Sequence, residues 1–162
     1  MILIIRGPLG IGKTTVARLL CQRLNALYLS VDEILDENGL DRGSNGIPAR
    51  NFWRANELSL PAAREALEAG RGVVYDGNFY YISQIRHLLR RLPGSAYVFT
   101  LQAPLEVCIA RDAGRAHVYG VDSTSWVFFL AGRVKEGIPV ETAGRTALEV
   151  VEEIEAVLRA AP

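Results

Sequence analysis

The residues best suited to chemistry form one stretch near the start of the chain, from Gly7 to Thr15. The stretch fits the phosphate-binding pattern G-x-x-x-x-G-K-[ST]. In such a loop, backbone N–H groups bind phosphate oxygens, the lysine reaches the β- and γ-phosphates, and the following hydroxyl binds Mg²⁺. We therefore expect all nine residues to contact a nucleoside triphosphate: Gly7, Pro8, Leu9, Gly10, Ile11, Gly12, Lys13, Thr14 and Thr15.

The alternative is a glycine-rich turn that matches this pattern by chance. The flanks argue against it, because residues 1–6 are aliphatic, as in a buried strand, and residues 14–24 have helical apolar spacing. The chain also has two lysines against sixteen arginines, and one of the two is Lys13, at the position the pattern requires.

Two of the six aspartates stand at the ends of predicted strands: Asp32 follows residues 26–30, and Asp76 ends residues 73–76. A phosphoryl transferase needs one acid to accept the proton of the attacking hydroxyl and another to help hold Mg²⁺. We assign Asp32 as general base or acceptor-orienting residue. We assign Asp76, with Thr14, to Mg²⁺, directly or through water, although the two roles are interchangeable at this stage. The alternatives are an N-cap for Asp32 and plain turn chemistry for Asp76-Gly77-Asn78.

Two arginines have a spacing that suits charge stabilisation. Arg111 and Arg115 are four residues apart, which places them on one face of a predicted helix end, beside a loop with Gly114 and Gly120. There they would act on the transferring phosphoryl group as an arginine finger from the same chain. The alternative is a solvated helix face in an arginine-rich protein.

Arg54 lies among aromatic residues that would clamp an acceptor, or else simply pack in the core. These are Phe52, Trp53, Phe79, Tyr80 and Tyr81. For a second aromatic group, Trp126, Phe128 and Phe129, we predict core packing.

The elements that must position these side chains alternate along the chain. Strands are predicted at residues 1–6, 26–30, 73–76, 96–101 and 138–142, and helices at 14–24, 50–69, 81–92, 104–112, 123–136 and 146–160. Loops are predicted at 38–50 and 114–121. We expect Pro61 to kink or restart its helix, and Asp122 or Ser123 to cap the helix at 123–136. The alternation predicts an α/β fold with three layers, a five-stranded parallel sheet with helices on both faces and ligands at the carboxyl ends of its strands.

Composition sets further limits. The 162 residues suit one domain, 49% are hydrophobic, and the formal net charge is zero, which gives no general attraction to nucleic acid or to an anionic membrane. No apolar run approaches the roughly 18 residues of a membrane span, no signal-peptide pattern is present, and two cysteines make no disulfide framework. We expect a cytoplasmic protein, a monomer or homodimer.

Taken in order, these motifs resemble the small P-loop kinases related to nucleotide, shikimate and gluconate kinases. The similarity is greatest to the branch with chloramphenicol phosphotransferase, the zeta-type toxins and the polynucleotide 5′-kinases. The matching segments are residues 7–15, Ser30-Val31-Asp32-Glu33, Val73-Val74-Tyr75-Asp76-Gly77-Asn78, Ala103-Pro104-Leu105-Glu106 through Arg111 and Arg115, and Val140-Glu141-Thr142.

The resemblance implies a P-loop NTPase fold and transfer of phosphate from ATP, with Mg²⁺, to a hydroxyl group. It implies that Asp32 is the base, that Arg111 and Arg115 belong to a short lid near residues 111–122, and that the loop from Thr142 to Arg145 lies by the adenine. We therefore add Arg111 and Arg145 to the nucleotide contacts. The acceptor contacts that we predict are Asp32, Arg54, Asp76 and Asn78. Ile34 stands where shikimate kinases have a second aspartate, which argues against shikimate, and the short lid argues against a nucleoside monophosphate.

The acceptor stays open, with a small-molecule hydroxyl favoured over a nucleic-acid end because the net charge is zero. Two other functions remain as alternatives: a nucleoside triphosphatase that needs no acceptor, and a regulatory nucleotide-binding protein. The chain lacks the N-K-x-D motif of regulatory GTPases.

Overall fold

The computed structural model describes residues 1–42 and 46–161, and its centre is a five-stranded parallel sheet. The strands are β1 (Ile2–Arg6), β2 (Leu27–Ser30), β3 (Val73–Asp76), β4 (Ala96–Gln102) and β5 (Ile138–Glu141), in the spatial order β2-β3-β1-β4-β5. The aliphatic residues of β1 are fully buried because this strand is central and both its faces are covered. The predicted α/β fold is confirmed.

Seven helices cover the sheet in the described residues. They are α1 (Lys13–Leu24), α2 (Val31–Glu37), α3 (Ala49–Glu68), α4 (Ile82–Arg91), α5 (Leu105–Ala113), α6 (Val121–Gly132) and α7 (Ala147–Ala160). Because successive side chains of a strand point to opposite faces, β1 divides its residues between two cores. Ile2 and Ile4 pack with residues of α2, α3 and α4, whereas Leu3 and Ile5 pack with residues of α1 and α7. The three predicted layers are present.

The structure excludes the alternative interpretation of Asp32 as an N-cap and corrects the predicted cap of the helix at 123–136. Ser30, not Asp32, is the N-cap of α2, because its hydroxyl accepts a hydrogen bond from the backbone N–H of Glu33 (3.2 Å). Helix α6 begins at Val121 with Gly120 at the cap position, so Asp122 lies inside the first turn and caps nothing. The sequence pattern missed this start because a glycine cap carries no side-chain signal.

Helix α3 runs without a break through Pro61, so the predicted restart of the helix is wrong, whereas the alternative, a kink at Pro61, stays a prediction. Proline removes one backbone hydrogen bond from a helix. The apolar face continues on both sides of it, from Phe52 and Ala55 to Ala63 and Ala66, and its burial holds the helix together.

The predicted core packing of the second aromatic group is wrong for two of its members. Trp126 is 58% exposed and Phe129 is 66% exposed, while Phe128 is partly buried against the core that contains α1 and α7. Helix α6 packs against α5, and a cavity of about 580 Å³ separates its C-terminal part from the ends of β4 and β5. A helix that is apolar on most sides does not reveal in its sequence which side its neighbours leave uncovered.

Along the described residues, no helix combines the length and the apolar character that a bilayer crossing requires. The predicted loop at 38–50 includes residues 43–45, which lie outside the described residues. The single domain, residues 1–162, with a lid near 111–122, stays a prediction.

Candidate active site

The loop between β1 and α1 has the backbone geometry of a phosphate cradle. Gly10 (φ +73°) and Gly12 (φ +98°) are in the left-handed region, which glycine adopts at low cost. A Cβ on Gly10 would lie 2.2 Å from the carbonyl oxygen of Cys108 in α5, so this position also needs glycine for close packing. A Cβ on Gly12 would meet no atom within 4 Å, so the space before the N-terminus of α1 is open.

Lys13 is the first residue of α1, and its side chain is buried beneath the loop. Its Nζ donates a hydrogen bond to the carbonyl oxygen of Pro8 (2.8 Å). Burial lowers the pKa of Lys13, while the nearby carboxylates of Asp76 and Asp32 act in the opposite direction. The ammonium group therefore lies within electrostatic reach of both acids that the sequence analysis selected.

Asp76 ends β3 beside the first turn of α1. Its Oδ2 accepts hydrogen bonds from the Thr14 hydroxyl (2.7 Å) and from the Tyr28 hydroxyl (2.9 Å). Its Oδ1 is buried and has no hydrogen-bond partner among the described residues. An unsatisfied carboxylate oxygen next to a threonine hydroxyl is a donor set that suits Mg²⁺, which prefers oxygen ligands and keeps several waters.

Tyr28 is a site residue that the sequence analysis missed. Burial and the charge of Asp76 raise the pKa of its hydroxyl, which therefore stays protonated and donates to the carboxylate. No spacing rule finds this residue, because the contact exists only when β2 lies beside β3, with Tyr28 opposite Val74.

Asp32 lies in the first turn of α2 and is partly buried. Burial raises its pKa and Asp76 adds to the rise, whereas the charges of Lys13 and Arg115 oppose it. The carboxylate is consequently more basic than an exposed aspartate, as suits a proton acceptor. Because Asp76 and not Asp32 contacts Thr14, the geometry favours the assignment of Asp76 to the metal and Asp32 to the base.

The two arginines do not share a helix face, which corrects the prediction from their spacing: α5 ends at Ala113, so Arg111 belongs to its last turn and Arg115 to the following loop. Arg111 is fixed in place. Its Nη1 donates to the Thr142 hydroxyl (3.0 Å) and to the Ile11 carbonyl (3.3 Å), and its Nη2 donates to the Thr142 carbonyl (2.8 Å).

Arg115 is held more loosely than Arg111. It is half exposed, lies 4.0 Å from a carboxylate oxygen of Asp112, and stands over the ring of Tyr119 at 5.7 Å. Asp112, a residue that the sequence analysis missed, accepts hydrogen bonds from the backbone N–H groups of Tyr119 (3.1 Å) and Gly120 (2.9 Å). This buried carboxylate thus closes the base of the loop that carries Arg115.

Two adjoining cavities of about 210 Å³ each lie along the phosphate loop. The first is lined by Gly10, Gly12, Lys13, Thr14, Thr15, Arg111 and Arg115. The second shares Gly12, Thr15 and Arg111 with it and extends to Thr142 and Arg145. The larger cavity under α6 touches this loop through Gly7 and Pro8, but its lining lacks Lys13, Arg111 and Arg115. The charged groups therefore place the site at the two smaller cavities.

Arg145 and Asn78 are two further site residues predicted from the sequence. Arg145 borders the second cavity and is tied to α7, since its guanidinium donates to the Glu149 carbonyl (2.9 Å) and pairs with Glu153. Asn78 follows β3 and is buried, with its Oδ1 unpartnered among the described residues.

Arg54 lines neither of the two smaller cavities. At about 100° per residue it is turned about 200° around α3 from the buried Phe52, and it is exposed. Its contact with an acceptor stays a prediction. The core alternative is confirmed for Phe52 and Phe79, which are buried, and Tyr80 packs against Phe52 at 5.1 Å between ring centres.

Comparison with known proteins gives related kinases. A family model described as "AAA domain" matches residues 2–126. A protein of Thermococcus onnurineus (strain NA1) named "Putative adenylate kinase" is 30% identical over 168 residues, which cover 98% of this chain and 84% of that protein. Shikimate kinase 2 of Escherichia fergusonii is 32% identical over 106 residues, covering 65% of this chain and 56% of that protein.

Among solved structures, a sugar kinase from Janibacter sp. HTCC2649 superposes with a TM-score of 0.79 at 20% identity, covering 99% of this chain and 95% of that chain. At this identity the likeness shows the fold alone.

Proposed function

Because the chain belongs to the AAA domain family and is a small P-loop kinase, we propose that it transfers the γ-phosphate of ATP to a hydroxyl group of a small molecule. The observation that carries this proposal is the grouping of Lys13, Asp76 and Arg115 within electrostatic reach of Asp32. A protein that only binds nucleotide needs the phosphate loop and one carboxylate that holds Mg²⁺. A second, more basic acid beside them suits proton transfer from an acceptor.

The described residues fit ATP and Mg²⁺. The backbone N–H groups of the phosphate loop and the N-terminus of α1 would hold the phosphates. The cavity toward Thr142 and Arg145 would hold the adenine base. Thr14 and the unsatisfied Oδ1 of Asp76 would hold Mg²⁺. When bound, the metal supplies positive charge that offsets the charge of the phosphate oxygens.

On the acceptor side, Asp32 takes the proton of the attacking hydroxyl. The acceptor oxygen forms a bond to the γ-phosphorus, and the bond from that phosphorus to ADP breaks. Lys13 and Arg115 stabilise the charge that spreads over the phosphoryl oxygens. Arg111, held by Thr142 and Ile11, keeps the nucleotide in register with them. We propose a small-molecule acceptor rather than a nucleic-acid end, because the formal net charge is zero.

The test is ATP turnover with and without a panel of sugars, amino alcohols, nucleosides and aromatic alcohols. We expect turnover to depend on an acceptor, and Asp32→Asn to lower it by about 10²–10⁴, the usual contribution of a general base. Lys13→Ala should abolish it. Asp36→Asn is the matched control, because Asp36 is an exposed acid one turn further along α2. Full activity of Asp32→Asn would disprove its role as base, and turnover that ignores every acceptor would identify a hydrolase.

A further inference from the structure

Arg6 is a fully buried arginine at the end of β1, directly before the phosphate loop. Its guanidinium donates four hydrogen bonds to three different parts of the chain. The acceptors are the carbonyl oxygens of Phe79 (3.3 Å), Ala131 (2.8 Å) and Val134 (3.2 Å) and the hydroxyl of Thr100 (2.9 Å). One side chain thus joins β1 to the turn after β3, to β4, and to the end of α6.

Burying the guanidinium charge of Arg6 lowers the stability of the fold. All four acceptors are neutral, and among the described residues no carboxylate forms an ion pair with the guanidinium. Burial lowers the pKa of Arg6 to about 10, and the charge of Glu136 only partly opposes this. The C-terminal carbonyls of α6 offset part of the cost, because a cation is favoured at that end of a helix. An apolar side chain would fill the same space without burying a charge.

Helix α6 depends on these hydrogen bonds because apolar packing holds it only weakly. The cavity of about 580 Å³ lies under its C-terminal part, and Trp126 and Phe129 face solvent. At its N-terminus the backbone is held by Asp112, and at its C-terminus by Arg6 through Ala131 and Val134. The loop that carries Arg115 leads directly into this helix, so the position of α6 affects where Arg115 lies.

A further partner of Arg6, Phe79, lies in the turn after β3, next to Asn78, a predicted acceptor contact. Phe79 has φ +46°, an unusual value for a residue with a side chain, and its carbonyl accepts from Nε of Arg6. Its neighbour Asn78 is buried with an unpartnered Oδ1. The hydrogen bond from Arg6 thus stabilises a strained turn that carries a polar group without a partner.

We propose that Arg6 is a positioning residue, which fixes α6 and the turn at residues 77–80 on either side of the phosphate loop. Arg115 and Asn78 then meet at the transferring phosphoryl group. This role rests on the proposed kinase function. Phosphate binding itself uses backbone N–H groups and Lys13, which do not contact the guanidinium, so loss of Arg6 affects transfer and acceptor binding more than ATP binding.

The first test uses the fluorescence of Trp126 and needs no acceptor. In a Trp53→Phe background Trp126 is the one remaining tryptophan, and it lies on α6. Arg6→Lys keeps the charge, but a lysine cannot reach all four acceptors. We expect a lower fluorescence anisotropy of Trp126, with the dissociation constant of a fluorescent ATP analogue changed by less than about twofold. Unchanged anisotropy would overturn the proposal.

The second test separates the two Michaelis constants. For the acceptor found in the panel, Arg6→Lys should lower kcat/KM by about tenfold or more, with a higher acceptor KM and an ATP KM within about twofold of the wild type. Arg71→Lys is the control, because Arg71 donates to a backbone carbonyl at the exposed edge, that of Asn25. An ATP KM that rises in step with the loss of turnover would overturn the proposal.

A milder variant covers the case in which Arg6→Lys does not fold. Thr100→Val removes one acceptor of the guanidinium, and also the bond from Thr100 to the Glu136 carbonyl (2.7 Å), with little change of volume. It should shift anisotropy and acceptor KM in the same direction by a smaller amount, and no shift in either would count against Arg6. Failure of the kinase function itself would show as a wild-type chain that phosphorylates no acceptor, and it would leave the Trp126 result unaffected.

Discussion

At the scale of single residues, two aspartates of identical chemistry differ because of their neighbours. Asp76 receives two hydroxyl donors, from Thr14 and Tyr28, and keeps one oxygen unsatisfied, as suits a metal ligand. Asp32 sits in the first turn of a helix, where burial raises its pKa and Lys13 limits the rise. The proposed division into a metal ligand and a general base therefore rests on their surroundings and not on residue type.

The raised pKa of Asp32 predicts a pH-dependent stability. In the folded protein the neutral acid is favoured, so this contribution to stability is fully present below the unfolded pKa, about 3.9, and is lost as pH rises through the higher folded pKa. Asp32→Asn removes the charge, so the variant should have the higher Tm at neutral pH, and the difference should vanish toward pH 3–4.

Thermal melts without nucleotide, from acid to neutral pH, measure this difference. Asp36→Asn should show no comparable trend, because Asp36 is exposed. A Tm of Asp32→Asn below that of the wild type at neutral pH would contradict the prediction.

The sequence predicted the phosphate loop and both aspartates because local patterns encode them: a fixed glycine and lysine spacing, and acids at strand ends. Tyr28 and Asp112 were not predictable in this way. Their partners lie across a strand pair and across a loop, and one sequence contains no signal for those contacts.

At the scale of elements, α5 and the loop after it give the two arginines different freedom. Arg111 is bonded to the β5–α7 connection through Thr142, whereas Arg115 extends from a loop whose base Asp112 closes. A fixed guanidinium suits binding of the nucleotide, and a less constrained one suits charge that develops during transfer.

This difference predicts a kinetic split between two matched substitutions. Arg111→Lys should weaken ATP binding by about tenfold with a smaller effect on kcat, because lysine cannot make the forked contact with Thr142. Arg115→Lys should mainly lower kcat. Equilibrium binding of a fluorescent ATP analogue and steady-state kinetics measure the two effects, and the same pattern for both variants would refute the assignment.

Most element positions were predictable from periodicity, and the strands agree with the structure within one residue, but the short helix α2 was not among the predicted helices. The limits of α6 and the exposure of Trp126 and Phe129 were not predictable. An apolar sequence indicates that a helix packs against other elements. How much of its surface is buried depends on its neighbours, which for α6 are helix α5 and an open cavity.

At the scale of the whole molecule, strand order assembles the site. The central β1 leads into the phosphate loop, β3 beside it brings Asp76, and β2 at the edge brings Tyr28 and then Asp32. The alternation of strands and helices predicted a parallel sheet with ligands at its carboxyl edge. The spatial order of the strands could be determined only from the structure.

The phosphate loop follows the central strand β1, whose side chains pack into both hydrophobic cores. ATP with Mg²⁺, bound at this loop, should therefore stabilise the entire fold. At 100 times its dissociation constant a ligand adds about 2.7 kcal/mol. For a chain of this size that corresponds to a rise in Tm of about 5–10 °C. Lys13→Ala, or a chelator of Mg²⁺, should remove most of the rise in a thermal-shift assay, and an undiminished rise in Lys13→Ala would contradict the placement of the nucleotide.

The burial of Lys13 also determines how the protein reacts with acylating reagents. Its amine is bonded beneath the loop, whereas Lys135, the second of two lysines, is exposed just beyond α6. Amine-reactive dyes or surface linkers should therefore modify Lys135 and the terminal amine while sparing the nucleotide site. The folded protein thus carries a built-in attachment point, at which it can be tethered or tagged without an engineered cysteine.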